Sequence, residues 1–197
     1  MSTTFRSGEP NLEALLEEIH QGKIQLPDFQ RGWVWDDDHI RSLIASISLA
    51  YPIGALMLLE TGGEGVRFKP RLVEGVPPTE RAPEKLILDG QQRMTSLYLS
   101  LRSGKAVPTR TAKGERIQRF YYLEIGKCLD ENADREDAVI SVPESGLVTA
   151  DFGREVRLDV RTAKKQFEAG LFPLHVIFDF GRYAEWRRGY QGLSQEH

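Results

Sequence analysis

The spacing of apolar side chains predicts helices separated by strands along the first hundred residues. Apolar residues in the range 12–19 follow the i, i+3, i+4, i+7 spacing of an amphipathic helix, with Asn11 as its cap and Gly22 at its end. A second helix is predicted to begin at the acidic run 36–38, because carboxylates suit a helix N-terminus. Its apolar residues lie on one side over 40–47.

Uninterrupted apolar runs predict the strands of this half. PIGALMLLE (52–60) and KLILD (85–89) are typical of buried strands, and a helix over 91–101 follows the second run. Between the two runs, VRFKPRLVE (66–74) predicts a strand that Pro70 confines to the edge of a sheet.

The second half of the chain continues the alternation. RFYYLEI (119–125) and AVISV (138–142) predict two further strands. A helix is predicted within 158–170, a buried extended segment over 171–180, and a last helix over 182–190. The predicted fold class is therefore α/β, and the number of short strands leaves α+β open.

Length and composition narrow the class of protein. A chain of 197 residues fits one main domain, and 40% hydrophobic with 28% charged residues is ordinary for a globular protein. No apolar run approaches the roughly 18 residues of a membrane span, and the first residues lack the pattern of a signal peptide. We therefore expect a cytoplasmic protein with no membrane partner.

Cysteine and histidine indicate no metal or disulfide chemistry. Cys128 is the single cysteine, so we expect neither a disulfide framework nor a Cys-based zinc site, and a half-buried side chain instead. The spacing of His20, His39, His175 and His197 builds no metal site. His175 is expected to lie within a strand.

The charge is unevenly distributed. A net charge of −3 argues against a basic field over the whole surface, but residues 101–197 carry 16 Lys and Arg against 15 Asp and Glu, whereas residues 1–100 carry 10 against 14. Cations concentrate in two stretches, which contain Arg110, Lys113, Arg116 and Arg119, and Arg154, Arg157, Arg161, Lys164 and Lys165. Interspersed acids favour solvated faces, with DNA contact as the alternative.

The stretch ILDGQQRMTSL (87–97) runs from a predicted strand directly into a predicted helix. The first turn of a helix exposes backbone N–H groups that attract anions, and Gly90 allows a ligand to approach the backbone. Arg93 adds a guanidinium suited to phosphate, and Asp89 could hold a magnesium ion or a ribose. The stretch therefore predicts a ligand that carries phosphate. The alternative is structural: Asp89 caps the helix and Arg93 forms a surface ion pair.

A second Gln-Arg pair strengthens this prediction. QLPDFQRGWVW places Gln30 and Arg31 at the edge of an apolar segment, with Trp33 and Trp35 directly after. Two guanidiniums that converge on one polyphosphate would explain why the pair recurs at Gln92-Arg93, whereas a third Gln-Arg, at 118–119, lies outside these two motifs. For the tryptophans, the favoured interpretation is a core position, with Arg31 stacked on one of them.

Together, the segments 26–60 and 86–97 resemble the N-terminal domain of the GmrSD-type modification-dependent restriction systems and their relatives in anti-phage defence. The resemblance covers residues 10–102 closely and continues weakly in FPLHVIFDF and at Trp186 and Tyr190. It implies a fold like that of ParB and sulfiredoxin, a mixed sheet flanked by helices, in which the strand-Gly-helix element binds nucleotide phosphates.

The resemblance also implies a function. It implies a sensor or regulatory domain that binds and hydrolyses nucleoside triphosphates, coupled to cleavage of modified or foreign DNA by an HNH-type nuclease domain or subunit. This sequence lacks a His-Asn-His pattern, so we expect the nuclease elsewhere. Residues 1–197 are then one nucleotide-binding domain at the N-terminal end of a longer protein, with 103–197 as its extension, and self-association is left open.

The positions that match the family motifs receive the implied roles. The implied nucleotide-binding residues are Gln30, Arg31, Asp89, Gly90, Gln91, Gln92 and Arg93. In the predicted mechanism, Arg93 and the Gly90 backbone hold the β- and γ-phosphates, and Arg31 offsets the charge that develops on transfer. Gln30 or Gln92 orients the attacking water, and Asp89 holds Mg²⁺.

Two other functions are compatible with the same residues. A non-catalytic DNA-binding module could use this cleft to recognise modified DNA, with Trp33 or Tyr51 against a base. Direct nuclease activity would need an acidic metal cluster. The carboxylates of 36–38 point in different directions at a helix start, so capping is the simpler interpretation.

Overall fold

The computed structural model describes residues 8, 10–62, 68–151 and 154–193 as a mixed α/β protein. Within these residues the helices are α1 (Leu12–His20), α2 (Asp37–Ser48), α3 (Gln91–Leu101), α4 (Ile125–Leu129), α5 (Ala163–Glu168) and α6 (Phe180–Leu193). The strands are β1 (Ile24–Pro27), β2 (Met57–Glu60), β3 (Pro70–Arg71), β4 (Lys85–Asp89), β5 (Val107–Arg110), β6 (Arg116–Glu124), β7 (Val139–Pro143), β8 (Leu147–Ala150), β9 (Glu155–Asp159) and β10 (Leu171–Pro173). This confirms the predicted α/β class, whereas the specific likeness to ParB and sulfiredoxin stays a prediction.

The first sheet is mixed and has the strand order β2-β4-β1-β3. β1 and β4 pair in parallel, with Ile24 opposite Lys85, whereas β2 and β3 pair antiparallel at the two edges. Because β1 and β4 run in the same direction, the residues that follow both strands emerge at one edge of the sheet. In open sheets that contain parallel strands, this edge is the usual place for a ligand.

The second sheet is built around β6. Its first residues pair with β5 and its last residues with β10, and β7 pairs with positions 119–123. β8 and β9 form a separate two-stranded sheet. The main core cluster contains residues from both halves of the chain, among them Ile87, Leu97, Tyr121 and Val139. The organisation of residues 1–197 as one domain stays a prediction.

Helix α3 is buried on nearly all sides. The predicted apolar face of Met94, Leu97, Tyr98 and Leu101 is buried, and so are the polar residues between them. Ser96 and Ser100 bond back to their own helix, as Ser100 Oγ does to the Ser96 carbonyl at 2.7 Å. The buried Thr95 hydroxyl has no hydrogen-bond partner among the described residues. Burial on all sides fixes the direction of α3 and therefore the position of its N-terminus.

The acidic run 36–38 acts as predicted at a helix start. Asp36 caps α2 by accepting a hydrogen bond from the His39 N–H at 2.9 Å. The Asp37 carboxylate accepts hydrogen bonds from the Tyr121 hydroxyl at 2.8 Å and from the Ser141 hydroxyl at 2.7 Å. Asp37 therefore joins α2 to two strands of the second sheet.

The structure corrects two predicted strands. The run PIGALMLLE is not a buried strand, because pairing begins only at Met57 and β2 is a half-exposed edge strand. The carbonyls of Ile53 and Ala55 accept hydrogen bonds from Arg93 instead of pairing in the sheet. Similarly, the predicted edge strand 66–74 pairs only at β3, and its residues 66 and 67 lie outside the described residues.

A third correction concerns the segment 171–180. Pairing ends at Pro173, and His175 lies in a 3₁₀ turn over Leu174–Val176, not in a strand. Proline has no N–H to continue the ladder, and the Ile177 N–H closes the turn on the Leu174 carbonyl. The sequence patterns also missed α4, β5, β8 and β9, which are short. The half-buried position expected for Cys128 is confirmed.

Removing the Tyr121 hydroxyl should weaken the connection between α2 and the second sheet. We expect Tyr121→Phe to lower the free energy of unfolding by about 1–2 kcal/mol, because the half-buried Asp37 carboxylate loses one of its two side-chain donors. Tyr122→Phe is the matched control, since none of the described residues hydrogen-bonds the hydroxyl of this buried neighbour. Urea unfolding measures both, and equal losses would contradict the role of Asp37.

His175 should make stability depend on pH. Burial, with the nearby Arg182 guanidinium, lowers the pKa of His175 to about 4. The unfolded chain, with a histidine pKa near 6.5, takes up the proton first, so this stabilisation is complete above about pH 6.5 and is lost as the pH falls toward 4. We expect the parent to lose up to about 3 kcal/mol more than His175→Gln between pH 7 and pH 4 in urea unfolding. Parallel pH profiles would contradict this.

Candidate functional site

The two Gln-Arg pairs meet at the edge of the first sheet where β1 and β4 end. Gln30 and Arg31 follow β1, and the stretch from Asp89 to Arg93 ends β4 and begins α3. All of these residues line one pocket of about 390 Å³, together with Trp35 and Leu88. The two arginines, which are distant in sequence, therefore face the same cavity. The chemical roles expected for the lining residues stay predictions.

Gln30 fixes the end of β4. Its Nε2 donates hydrogen bonds to the carbonyls of Ile87 at 2.8 Å and Leu88 at 2.9 Å. Its Oε1 is buried, and none of the described residues donates a hydrogen bond to it. Gln30 thus has its donor occupied, and its acceptor is buried without a donor among the described residues.

The side-chain amides of Gln91 and Gln92 hold residues 31–34, the segment that follows Gln30. Gln91 Nε2 donates to the Arg31 carbonyl at 2.6 Å. Gln92 Nε2 donates to the Gly32 carbonyl at 3.2 Å, and its Oε1 accepts from the Val34 N–H at 3.0 Å. Both side chains fasten this segment to α3, and each Nε2 uses one of its two N–H donors to do so.

The Arg93 side chain also bonds other residues of the protein instead of pointing free into the pocket. Its Nη1 donates to the Ile53 carbonyl, its Nη2 donates to the Ala55 carbonyl at 2.7 Å, and Nη2 lies 3.4 Å from Asp89 Oδ2. The ion pair that the structural interpretation predicted for Arg93 is therefore present. The helix cap that it predicted for Asp89 is absent, because Gly90 is the N-cap and no side chain caps α3. The Asp89 side chain is 70% exposed.

Gly90 is required by the backbone itself. Its φ of +91° lies in the left-handed region that favours glycine, and this conformation turns the chain from β4 into α3. A Cβ atom at this position would lie 3.0 Å from Leu56 Cδ1 and 3.3 Å from Arg93 Nη2. The turn therefore needs glycine whether or not a ligand approaches.

The free donors of the pocket are of two kinds. The N–H groups of Gln91, Gln92 and Arg93 at the start of α3 receive no acceptor from the described residues, and they carry the partial positive charge of a helix N-terminus. The exposed Arg31 guanidinium makes no hydrogen bond or ion pair within the described part of the chain. Backbone amides and one free guanidinium together form an anion-binding arrangement.

Sequence reasoning missed Arg71, which supports the same segment from the other side. Its Nη2 donates to the carbonyls of Gln30 at 3.3 Å and Arg31 at 3.2 Å, and its Nη1 pairs with Glu74 at 3.2 Å. Arg71 lies in a stretch rich in charge and glycine, where no pattern distinguishes it. Only the pairing of β3 with β1 brings it to the site.

The tryptophans are partly buried against the core, as the favoured interpretation expected. Trp33 Nε1 donates to Ser96 Oγ at 2.9 Å. Trp35 lines the 390 Å³ pocket, whereas Trp33 lines a second pocket of about 430 Å³ that Trp35 also borders. Tyr51 lines a separate apolar groove. Trp33 and Tyr51 therefore do not line the pocket of the Gln-Arg pairs.

Two negative findings apply to the part of the chain that the structure describes. It contains no group of three or more His, Cys, Asp or Glu side chains that could hold a metal ion. None of its helices combines the length and apolarity needed to cross a membrane.

Comparison with known proteins assigns the family. The family model described as "GmrSD restriction endonuclease, N-terminal domain" matches residues 12–170, which include both Gln-Arg pairs. The chain therefore belongs to this family of restriction endonuclease N-terminal domains.

A relative extends the comparison. The chain is 31% identical over 129 residues to the Uncharacterized protein MJ0686 of Methanocaldococcus jannaschii. The alignment covers 63% of this chain and 22% of that protein, so the chain spans about a fifth of the length of this curated relative.

The two arginines of the pocket should differ sharply in their effect on stability. We expect Arg93→Ala to lower the free energy of unfolding by about 2–3 kcal/mol, because two backbone carbonyls lose a charged donor. Arg31→Ala should change it by less than about 0.5 kcal/mol, because its exposed guanidinium has no partner among the described residues. Urea unfolding of both variants tests this, and a large loss in Arg31→Ala would contradict the contacts above.

Proposed function

We propose that this domain binds and hydrolyses a nucleoside triphosphate and acts as the sensor or regulatory part of a DNA-restriction system. The observation that carries the proposal is the 390 Å³ pocket, in which the free guanidinium of Arg31 and the unpaired N–H groups of α3 face one cavity. A polyphosphate is the ligand whose charge and acceptors suit these donors.

The contacts refine the roles implied by the sequence. The α3 amides and Arg31 contact phosphate oxygens, and Arg31 offsets the charge that develops on transfer. Arg93, Gln91 and Gln92 act mainly as positioning residues, because their side chains already bond the walls of the pocket. Gln30 or Gln92 orients the attacking water: the Gln92 Oε1 already accepts from the Val34 N–H, and the Gln30 Oε1 is buried without a donor among the described residues.

Asp89 fits the expected magnesium site as a single carboxylate. Its side chain is 70% exposed, does not cap α3 and borders the phosphate pocket. Mg²⁺ bound to nucleotide phosphates usually takes one or two protein carboxylates, so the lack of a larger acidic cluster among the described residues agrees with this role. The ion would neutralise phosphate charge, while the protein residues position the nucleotide.

Arg31→Ala should remove a contact to the nucleotide without destabilising the fold, because the free energy of unfolding should not depend on this side chain. In a thermal-shift screen of the four ribonucleoside triphosphates with Mg²⁺, a nucleotide at about 100 times its dissociation constant should stabilise the parent by about 2.7 kcal/mol. Arg31→Ala should need at least about tenfold more nucleotide for the same shift. It should also lower turnover of radiolabelled nucleotide about 100-fold.

The matched control is Arg157→Ala, which removes another exposed arginine without a partner among the described residues. It should retain both the shift and the turnover. If Arg31→Ala hydrolyses GTP and the other triphosphates as fast as the parent, the proposed mechanism is wrong. No shift with any triphosphate, together with salt-dependent affinity for duplex DNA, would instead favour a non-catalytic DNA-binding module.

The cleavage of modified or foreign DNA is assigned to an HNH-type nuclease domain or subunit. Within the described residues there is no group of three or more His, Cys, Asp or Glu side chains that could hold a metal ion. We propose regulation through its nucleotide as the contribution of this domain.

A further inference from the structure

The hairpin of β5 and β6 presents two arginines side by side. The register of this antiparallel pair places Arg110 directly opposite Arg116, so both side chains project from the same face. Pro108 and Gln118, the next outward-facing pair, lie opposite each other on this face. All four residues are exposed.

The two guanidiniums lack an acidic partner. Like charges directly opposite each other on a hairpin are destabilising, and none of the described carboxylates forms an ion pair with Arg110 or Arg116. Glu115, the nearest acid in sequence, is hydrogen-bonded to Thr111 through its backbone N–H and carbonyl. The hairpin therefore concentrates positive charge that an external anion would neutralise.

An aromatic pocket adjoins this charge. The 430 Å³ pocket is bounded by Trp33, Trp35, Arg110, Arg116 and Gln118. Its aromatic wall is held in place, because the Trp35 carbonyl accepts a hydrogen bond at 2.8 Å from the hydroxyl of Thr109 in β5.

We propose that the β5–β6 hairpin and this pocket form a DNA-binding surface beside the nucleotide pocket, with which it shares Trp35. Arg110 and Arg116 contact phosphates of a DNA strand, and the indole wall contacts an adjacent sugar or base. The net charge of −3 requires such local cations, because the surface as a whole does not attract DNA. The choice of DNA as the partner rests on the proposed function. The location of the surface is inferred from the paired arginines Arg110 and Arg116 and from the 430 Å³ pocket.

The test is the affinity of the whole chain for a fluorescent DNA duplex, measured by anisotropy over a series of salt concentrations without nucleotide. We expect Arg110→Ala/Arg116→Ala to weaken binding at least tenfold at low salt. Loss of two phosphate contacts should also reduce the slope of log K against log salt by about 2. Arg154→Ala/Arg157→Ala removes the same charge from exposed positions near the β8–β9 hairpin and should change affinity less than about threefold.

The outcomes separate this surface from the nucleotide pocket. Weakened DNA binding with an unchanged nucleotide thermal shift and unchanged urea unfolding would support the proposal. Equal losses of DNA affinity in the two double variants would indicate general electrostatic attraction and would overturn the proposal. The absence of DNA binding by the parent would overturn it as well. If Arg110→Ala/Arg116→Ala instead abolished the nucleotide thermal shift and kept its affinity for DNA, the 430 Å³ pocket would belong to the nucleotide, and the proposed DNA-binding surface would be wrong. Because DNA binding is measured without nucleotide, failure of the NTPase proposal does not affect this result.

Discussion

The parallel pairing of β1 with β4 is the constraint on which the site depends. Two strands that run in the same direction release their following residues at one edge, and the two Gln-Arg pairs follow these two strands. The buried helix α3 then fixes the direction in which its first N–H groups point. An antiparallel arrangement of β1 and β4 would place Arg31 and Arg93 at opposite ends of the sheet, and no common pocket would exist.

The polar residues of the pocket divide into two groups. Gln91, Gln92 and Arg93 bond backbone atoms of neighbouring segments, whereas Arg31 and the amides of α3 are free of partners among the described residues. Donors held in place before a ligand arrives need little reorganisation to bind it, which favours both affinity and stabilisation of developing charge. The contacts of Gln91, Gln92 and Arg93 therefore help the Arg31 guanidinium and the α3 amides to bind a ligand, even where these three side chains do not touch the ligand.

One segment of chain borders both pockets. Residues 31–35 are fastened by Gln91 and Gln92 on α3, by Arg71 from β3 and by Thr109 from β5. Trp35 lines both cavities. Both pockets lie within the region that the family model matches.

The sequence by itself determined the local elements and the family. Helical spacing, the cap at Asn11, the carboxylates at α2 and the strand-glycine-helix junction each act over a few residues, so they could be predicted. Only the tertiary structure decided which side chains remain free. Arg31 and Arg93 follow glutamine in identical dipeptides, yet the Arg93 side chain bonds the carbonyls of residues 53 and 55, whereas the Arg31 side chain bonds none of the described residues. That difference arises from which distant segment packs beside each arginine, and spacing along the chain carries no information about such contacts.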